Sequence, residues 1–268
     1  GVSPPVTSLT GMLTLRDVTV RYNVGRDGSV NVAAENVNLS MESGEVVGFV
    51  GRSGCGKTSV LNAIAGLIPT AVHGEITFDG IDPKDPRGGM AYMLASDALL
   101  PWREAWRNVA FPLEGLVPRQ ERRERAIELL ARLGLEASTH MYPHELSQGM
   151  RQRVALARTL ATDPKLILAD EPFAALDAQT KLQVQDSFLS EWEKDRRTVL
   201  LVTHDLQEAI LLSDRVIVMA GQPGRVVVDQ VVDIPRPRNG RLVEILTSEK
   251  LRALAFDLFH ALDESSMP

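Results

Sequence analysis

Hydrophobic and polar residues alternate near the start of the chain, and this pattern predicts a pair of strands. Leu13–Tyr22 alternates except for a slip at Arg16 and Asp17, and Val32–Met41 is a second strand-like run. The turn between them, Asn23–Ser29, is rich in Gly and Asp. Because such a turn between two strand-like runs favours a hairpin, we expect an antiparallel pair here.

Short apolar runs alternate with helix-like stretches through much of the remaining chain. Glu45–Val50 leads into a glycine-rich loop and a helical pattern, Thr58–Ala65, and Gly74–Gly80 is strand-like. Three more apolar strands are expected later, at Leu166–Ala169, Val199–Thr203 and Arg215–Met219. Strands that alternate with helices favour an α/β fold, in which a mainly parallel sheet is covered on both faces.

The middle third of the chain has a helical pattern instead. Glu121–Leu133 places Ile127, Leu130 and Leu133 on one face, and Gly134 follows as a predicted helix-ending glycine. Because apolar strands resume only after this stretch, residues 96–160 are interpreted as a helical subdomain inserted into the α/β core.

The predicted domain organisation follows from these patterns. Residues 12–95 and 161–238 form one core around the helical insertion, and residues 1–11 are expected to be a flexible tail. Residues 239–268 form a C-terminal extension with one helix, Leu242–Leu262. The length of 268 residues is ample for a buried core.

The composition of the chain limits which classes of partner are expected. The net charge of −6 argues against nucleic acid, because neutralising phosphates needs an excess of Lys and Arg on some face. No apolar run approaches the roughly 18–20 residues of a membrane-spanning helix, and no signal segment opens the chain. Contact with a membrane is therefore expected to come through a partner.

The single Cys55 excludes an internal disulfide and fits a reducing cytoplasm. For this residue, a role as a small loop residue is favoured over a redox role.

Residues Gly51–Thr58 match the pattern G-x-x-x-x-G-K-[ST] directly after an apolar strand. The glycines let backbone N–H groups converge on phosphate oxygens, and the helix start adds its positive dipole end. Lys57 is predicted to reach the β- and γ-phosphates and to serve catalysis, and Thr58 to place its hydroxyl on Mg²⁺. The predicted nucleotide-binding residues here are Gly51, Ser53, Gly54, Cys55, Gly56, Lys57, Thr58 and Ser59.

A second motif is an apolar strand that ends in two acids, Asp170 and Glu171. Ligands of such sheets bind at the carboxyl ends of the strands, which places both carboxylates beside the phosphate loop. Asp170 is predicted to hold Mg²⁺, directly or through water. Glu171 is then in position to polarise the attacking water as a general base.

The segment Leu146–Met150, followed by Arg151–Arg153, resembles the LSGGQ signature of the ABC ATPase family. The resemblance extends from about Leu13 to Arg238. It implies a P-loop NTPase core with a mainly parallel sheet, an N-terminal antiparallel β subdomain and an inserted helical subdomain. It also implies that Ser147 and Gly149 bind the γ-phosphate held by the other subunit. Gln148 and Met150 depart from LSGGQ at its variable third and fifth positions.

Three further residues match positions of that family. Asp177, after Ala174–Leu176, resembles the D-loop aspartate at the dimer seam. His204 resembles the switch histidine, which contacts the γ-phosphate and orients the hydrolytic water. Tyr22 resembles the aromatic residue that stacks on adenine, with an ordinary strand aromatic as the alternative.

One position departs from the family pattern. The family places a Gln about forty residues after the phosphate loop, where it ligates Mg²⁺, and here Ala95 stands at that position. Ser96 or Asp97 is a candidate for a substitute oxygen, and we hypothesise slower or unusually regulated hydrolysis. Trp102 and Trp106 follow, where the resemblance implies that the permease docks, although a core role for Trp106 is equally compatible with the sequence.

Further segments indicate the branch of the family. Tyr142–Leu146, Leu99–Trp102 and Met150–Arg158 resemble bacterial importer subunits, and Met219–Arg225 and Asp233–Arg238 resemble the nitrate/sulfonate/taurine branch. The resemblance implies an ATPase that couples hydrolysis of Mg-ATP in a head-to-tail dimer to uptake of a small molecule. The implied partners are a second ATPase subunit, a transmembrane permease and a substrate-binding protein, with no nucleic acid. The implied location is the cytoplasmic face of the membrane.

Two other functions stay open at this point. One is a regulatory nucleotide-binding cassette of low activity, which Ala95 motivates and the intact Glu171 and His204 disfavour. The other is a soluble ATPase acting on DNA or the ribosome, which the acidic composition and the importer-like tail disfavour.

Overall fold

The computed structural model describes residues 12–24, 29–82, 84–86 and 89–264, so the predicted tail, residues 1–11, lies outside the described residues. The strands in this part of the chain are β1 (Leu13–Val24), β2 (Ser29–Met41), β3 (Val46–Val50), β4 (Val72–Phe78), β5 (Met90–Met93), β6 (Leu166–Asp170), β7 (Thr198–Thr203), β8 (Arg215–Ala220) and β9 (Arg225–Val231). The helices are α1 (Lys57–Ile64), α2 (Ala105–Ala110), α3 (Arg119–Arg132), α4 (Gln148–Leu160), α5 (Ala178–Asp195), α6 (Leu206–Leu212), α7 (Leu242–Thr247) and α8 (Glu249–Glu264). None of these described helices is long and apolar enough to cross a membrane.

A small antiparallel sheet is formed by β1, β2 and β4, in the order β2-β1-β4. The predicted hairpin is confirmed, with Leu13 opposite Met41. The slip at Arg16 and Asp17 is a bulge in β1, because the register shifts between Leu15 and Val18 and Asp17 has a φ of 50°. The alternation therefore resumes on the same face after the bulge, and Leu15 and Val18 are both buried.

The larger sheet has six strands in the order β5-β6-β7-β3-β8-β9. Its strands are parallel except for β9, which runs antiparallel to β8 at the edge. Side chains of β3 alternate between two hydrophobic clusters: Val46 and Val50 pack in one, and Val47 and Phe49 in the other. Both faces of the sheet are therefore covered, and the predicted α/β fold class is confirmed.

The middle of the chain is helical, as the sequence predicts. Helices α2, α3 and α4 lie between β5 and β6, and α3 ends at Gly134, whose φ of 70° is the left-handed conformation of a helix-ending glycine. Trp106 is 8% exposed and packs in the core, whereas Trp102 is 71% exposed. The core role is thus the correct one of the two interpretations of Trp106. The boundaries of the predicted domains stay a prediction.

Three elements differ from the sequence analysis. The strands β5 and β9 were not predicted, because neither carries a long apolar run or a clear alternation. The single helix expected over Leu242–Leu262 is wrong, since the chain forms α7 and α8 with an extended residue, Ser248, between them. The Ser248 hydroxyl accepts a hydrogen bond from the Leu251 amide at 3.2 Å, which begins the second helix.

Candidate active site

The predicted site residues follow the carboxyl ends of three neighbouring strands. In the order β6-β7-β3, Glu171 comes directly after β6, His204 after β7 and the phosphate loop after β3. Because these strands are parallel, all three ends meet at one edge of the sheet. The topology therefore brings together residues that are more than a hundred positions apart in the chain.

Lys57 opens α1 and turns back over the phosphate loop. Its ammonium group donates to the carbonyl oxygens of Gly51 at 2.7 Å and Arg52 at 3.1 Å, and the side chain is buried. Those contacts hold the cation at the centre of the loop. The loop amides and the start of α1 surround the same space, which is the arrangement that receives anionic phosphate oxygens.

Two glycines let other backbone segments press against this loop. Gly56 has a φ of 90°, and a Cβ there would overlap the Ala33 carbonyl of β2. Gly224, which the sequence analysis did not assign to the site, leaves room for the Cys55 carbonyl. The side chain of Cys55 is buried and its thiol is free, which agrees with the small loop residue that the sequence favours.

Thr58 and Asp170 form an oxygen pair beside the loop. The Thr58 hydroxyl lies 3.1 Å from Oδ1 of Asp170. Hydroxyl and carboxylate oxygens are the donors that Mg²⁺ prefers, and the ion commonly takes one or two protein ligands with phosphate oxygens and waters completing its shell. No cluster of three or more metal-ligating side chains occurs among the described residues. The pair fits Mg²⁺ that arrives with a nucleotide.

Asp170 also contacts a residue that the sequence analysis missed. The Tyr92 hydroxyl on β5 lies 3.4 Å from Oδ2 of Asp170 and 3.2 Å from Oδ1 of Asn62 on α1. Burial raises the pKa of Asp170, as does the charge of Glu171, while hydrogen bonds from Thr58 and Tyr92 lower it. Burial and the nearby Asp170 carboxylate raise the pKa of the Tyr92 hydroxyl, which keeps it protonated as a donor.

Glu171 and His204 form a hydrogen-bonded pair across the ends of β6 and β7. His204 Nδ1 lies 3.0 Å from Oε2 of Glu171. Glu171 has a left-handed backbone, with a φ of 48°, and its amide donates to the Val202 carbonyl at 2.9 Å. Such a conformation is costly for a residue with a Cβ and persists where the surroundings hold it, commonly at functional sites. The Glu171 carboxylate is thereby held beside His204, at the edge of the sheet where the phosphate loop also lies.

The signature segment lies at the start of a different helix. Ser147 is the N-cap of α4, and its hydroxyl accepts from the Met150 amide at 3.3 Å. Gly149 is buried, and a Cβ there would overlap the Thr180 side chain of α5. Among the described residues, the hydrogen bonds of Ser147 stay within α4 and none reaches the phosphate loop. The helix start is exposed and, in the part of the chain that the structure describes, makes no hydrogen bond to this chain's own phosphate loop.

Asp177 is the N-cap of α5 and accepts from the amides of Gln179 and Thr180, both at 3.1 Å. These hydrogen bonds, that from Thr180 foremost, lower the pKa of Asp177. The preceding Ala175 carbonyl accepts from the Gln148 side chain at 2.5 Å. The family-divergent Gln148 thus joins the signature helix to the segment that leads to Asp177.

Asp205, next to His204, is tied to α5 through Lys181. The Lys181 ammonium lies 2.8 Å from Asp205 and 2.8 Å from the buried Glu208, both of which belong to the start of α6. Asp205 also caps α6 by accepting from the amides of Gln207 and Glu208. These contacts orient the turn that carries His204 relative to the helix that begins after Asp177.

The segment around Ala95 is held by α4. Arg151 lies 2.9 Å from the Asp97 carboxylate, and Arg158 donates to the backbone carbonyls of Asp97 and Ala98, both at 2.7 Å. Ala98 has a left-handed φ of 43°. Because Arg151 engages the Asp97 carboxylate, that side chain is committed to α4. The structure thus disfavours Asp97 as the substitute oxygen considered from the sequence.

Tyr22 lies on β1 opposite Asn31 of β2. Its side chain is half-buried and packs against the hydrophobic cluster between the two sheets. Stacking of this ring on adenine stays a prediction.

Known proteins resemble this chain over most of its length. Residues 34–174, slightly more than half of the chain, match the family described as ABC transporter. An uncharacterised ABC transporter ATP-binding protein of Methanocaldococcus jannaschii is 44% identical over 220 residues, which cover 81% of this chain and 82% of that protein. The taurine import ATP-binding protein TauB of Sinorhizobium fredii is 45% identical over 207 residues, covering 76% of this chain and 77% of TauB. A solved dimeric ATP-binding cassette in a post-hydrolysis state, bound to ADP and Pi, has a TM-score of 0.70 at 33% identity and covers 84% of this chain and 100% of its own.

The fold and the site define a P-loop ATPase, in which the phosphate loop and the Glu171–His204 pair meet at one edge of a parallel sheet. The comparisons narrow this class. The chain belongs to the ABC transporter family and is an ATP-binding subunit of the nitrate/sulfonate/taurine branch, which confirms the identification made from the sequence.

Proposed function

We propose that this chain hydrolyses Mg-ATP to drive an importer for a small molecule of the taurine type. The observation that carries the proposal is the Glu171–His204 pair, whose side chains are 3.0 Å apart. The two residues follow β6 and β7, and β7 lies next to β3, which leads into the phosphate loop. The similarity to TauB, a taurine import ATP-binding protein, supports the importer branch and a sulfonate as cargo.

The geometry supports the following catalytic roles. Lys57, released from the Gly51 and Arg52 carbonyls, binds the β- and γ-phosphates and stabilises the charge that develops on them. Glu171 accepts a proton from the attacking water, and His204 orients the Glu171 carboxylate and the γ-phosphate. Thr58 and Asp170 would hold Mg²⁺, which supplies positive charge to the phosphate oxygens.

A complete site needs a second chain in this proposal. Ser147 and the first-turn amides of α4 form an anion-binding helix start whose described hydrogen bonds stay in α4. In a head-to-tail dimer that helix start meets the γ-phosphate held by the partner, with Asp177 at the seam. The 33%-identical cassette, which is dimeric and bound to ADP and Pi, supports this arrangement.

The permease surface is proposed to lie around Trp102. This exposed indole borders a groove of about 340 Å³. The charged residues that line the groove with it are four arginines and one glutamate: Arg103, Arg107, Arg119, Arg122 and Glu114. Glu114 pairs with Arg103 and Arg122, and the four arginines still leave the lining with an excess of positive charge. An aromatic anchor beside this positive charge suits a partner segment that carries an aromatic and an acidic side chain. The same surface continues from the Ala95 segment that Arg151 and Arg158 tie to α4. Movement of the permease and of the signature helix would thereby be coupled.

A regulatory cassette of low activity is the second candidate, and Ala95 is the observation that favours it. An alanine offers no oxygen to Mg²⁺, and the neighbouring Asp97 is held by Arg151. If hydrolysis is limited by this missing amide, Ala95→Gln should raise ATP turnover. Unchanged turnover and unchanged transport coupling in that variant would remove the reason for this candidate.

The importer assignment is tested by recovering the assembled complex from membranes. A tagged chain should co-purify with a membrane-spanning permease. Vesicles containing the complex and its binding protein should accumulate radiolabelled taurine or another sulfonate only with ATP.

Trp102→Ala should lower the recovered permease about tenfold or more, as loss of a central aromatic anchor does. Val231→Ala, an exposed apolar residue on the edge strand, is the matched control. Recovery with ribosomes or DNA and no permease would contradict the proposal.

A further inference from the structure

We propose that Tyr92 is a positioning residue that orients the Asp170 carboxylate for Mg²⁺. The inference rests on the proposed use of Mg-ATP at this site. Tyr92 matches no motif in the sequence, and it lies on the short strand β5, which the sequence analysis did not predict. Its role follows from three side chains that the fold brings together, Asn62, Tyr92 and Asp170.

The two oxygens of Asp170 have different neighbours. Oδ1 lies 3.1 Å from the Thr58 hydroxyl, on the side of the phosphate loop, and Oδ2 lies 3.4 Å from the Tyr92 hydroxyl. Thr58 is the residue expected to give its oxygen to the metal, and its hydrogen bond to Asp170 is then rearranged. The Tyr92 hydroxyl contacts the other oxygen, Oδ2, so that its hydrogen bond need not be broken for Thr58 to bind the metal. Tyr92 is therefore the side chain that can hold Asp170 in one rotation with or without the ion.

The proton count gives the direction of these hydrogen bonds. Tyr92 has one hydroxyl proton, yet acceptor oxygens lie near it on both Asn62 and Asp170. The two atoms of an amide end are assigned from their hydrogen bonds. With the Asn62 amide nitrogen directed at Tyr92, Asn62 donates to the Tyr92 oxygen and Tyr92 donates to Asp170. In that orientation the Tyr92 hydroxyl accepts one hydrogen bond and donates one, and the Asp170 carboxylate accepts the hydrogen bond from the phenol.

The relay also connects three elements of the site. Asn62 is on α1, the helix that opens with Lys57 and Thr58, and Tyr92 is on β5. Tyr92 pairs in register with Leu168 of β6, two residues before Asp170. Tyr92 is half-buried and packs against the hydrophobic cluster under α1. Its hydroxyl is thus held from the backbone of β5, and the carboxylate orientation is linked to the helix that carries the other metal oxygen.

The orientation of the Asp170 carboxylate is expected to matter more for Mg²⁺ binding in this chain, because Ala95 supplies no amide oxygen. Thr58 and Asp170 are the two predicted Mg²⁺ ligands, and their oxygens lie 3.1 Å apart. Partners that orient metal ligands from behind typically change metal affinity by about 10- to 100-fold when they are removed. The loss of one phenol hydroxyl is expected at the lower end of that range.

The test is a Mg²⁺ titration of the full chain and of Tyr92→Phe, which keeps the ring and removes the hydroxyl. Binding of a ribose-labelled fluorescent analogue of non-hydrolysable ATP is followed as Mg²⁺ is added. The half-saturating Mg²⁺ concentration should rise about tenfold in Tyr92→Phe. Affinity for the analogue in EDTA should stay at the wild-type value, and the melting temperature without nucleotide should fall by no more than a few degrees, because hydrogen bonds of a single hydroxyl are lost. Tyr142→Phe is the matched control, because this tyrosine is exposed and stacks on His144.

Two outcomes would overturn the inference. One is an unchanged half-saturating Mg²⁺ concentration in Tyr92→Phe. The other is an equal loss of affinity with and without Mg²⁺, which would show that Tyr92 supports the loop as a whole. The titration measures binding alone, with no hydrolysis and no permease. A chain that fails as an importer ATPase would therefore be recognised separately, by absent turnover or absent transport.

Discussion

Replacing Glu171 with Gln is expected to lower ATP turnover by about a hundredfold or more, with ATP affinity nearly unchanged. Glutamine has the shape of glutamate but cannot take a proton from water, and a positioned general base typically contributes a factor of about 10²–10⁴. The contact with His204, 3.0 Å away, can still form because the amide offers both a donor and an acceptor. Steady-state phosphate release and equilibrium binding of labelled ATP measure the two quantities.

The same variant should accumulate as a dimer in the presence of Mg-ATP. Hydrolysis removes the γ-phosphate that bridges the two chains in the proposed arrangement, so a chain that binds but does not hydrolyse keeps the bridge. Glu244→Gln is the matched control, since Glu244 is exposed and pairs with Arg241 on the surface. Wild-type turnover in Glu171→Gln would remove Glu171 from the catalytic role.

Replacing Lys57 with Ala is expected to reduce affinity for ATP by at least about a hundredfold. Hydrogen bonds in which a partner is charged contribute about 1.5–3 kcal/mol each, and 1.4 kcal/mol corresponds to a factor of ten. Two phosphate contacts of the ammonium group are lost. Equilibrium binding of labelled ATP measures the effect, and turnover at accessible ATP concentrations should fall with it.

The Lys57 prediction needs a control for folding, because the ammonium also binds the Gly51 and Arg52 carbonyls of the loop. An unchanged melting temperature without nucleotide would show that the loop has kept its support. Lys165→Ala, an exposed lysine that contacts the Gly80 carbonyl, is the matched substitution. ATP affinity within about threefold of wild type in a folded Lys57→Ala chain would contradict the assignment.

Much of the site could be predicted from its motifs, because each motif is a short run of neighbouring residues with a definite local structure. Gly51–Thr58 must follow a strand and open a helix to bind phosphate, and β3 and α1 are where the pattern places them. Glu171 and His204 follow apolar runs, and parallel strands leave their ends at one edge. The 3.0 Å contact between the two residues is consistent with both inferences.

The remainder depended on pairing between distant segments. Nothing near Tyr92 in the sequence indicates Asp170, because their contact arises only when β5 aligns beside β6. Arg151 could not be assigned to Asp97 for the same reason. The break at Ser248 could not be predicted from the apolar pattern, because that pattern continues through it. In the structure the Ser248 hydroxyl accepts a hydrogen bond from the Leu251 amide and caps the second helix.

The central claim is that one ATP site is built from two chains, and ATP turnover against protein concentration tests it most directly. Mg²⁺-dependent phosphate release is measured for the purified chain from about 10 nM to about 50 µM, a range over which mass action shifts a dimer equilibrium. Because each site needs both chains, turnover per chain should rise with concentration towards a plateau, with Ala95 tolerated. Turnover per chain that is the same at every concentration, while sedimentation shows the protein passing from monomer to dimer, would contradict the claim.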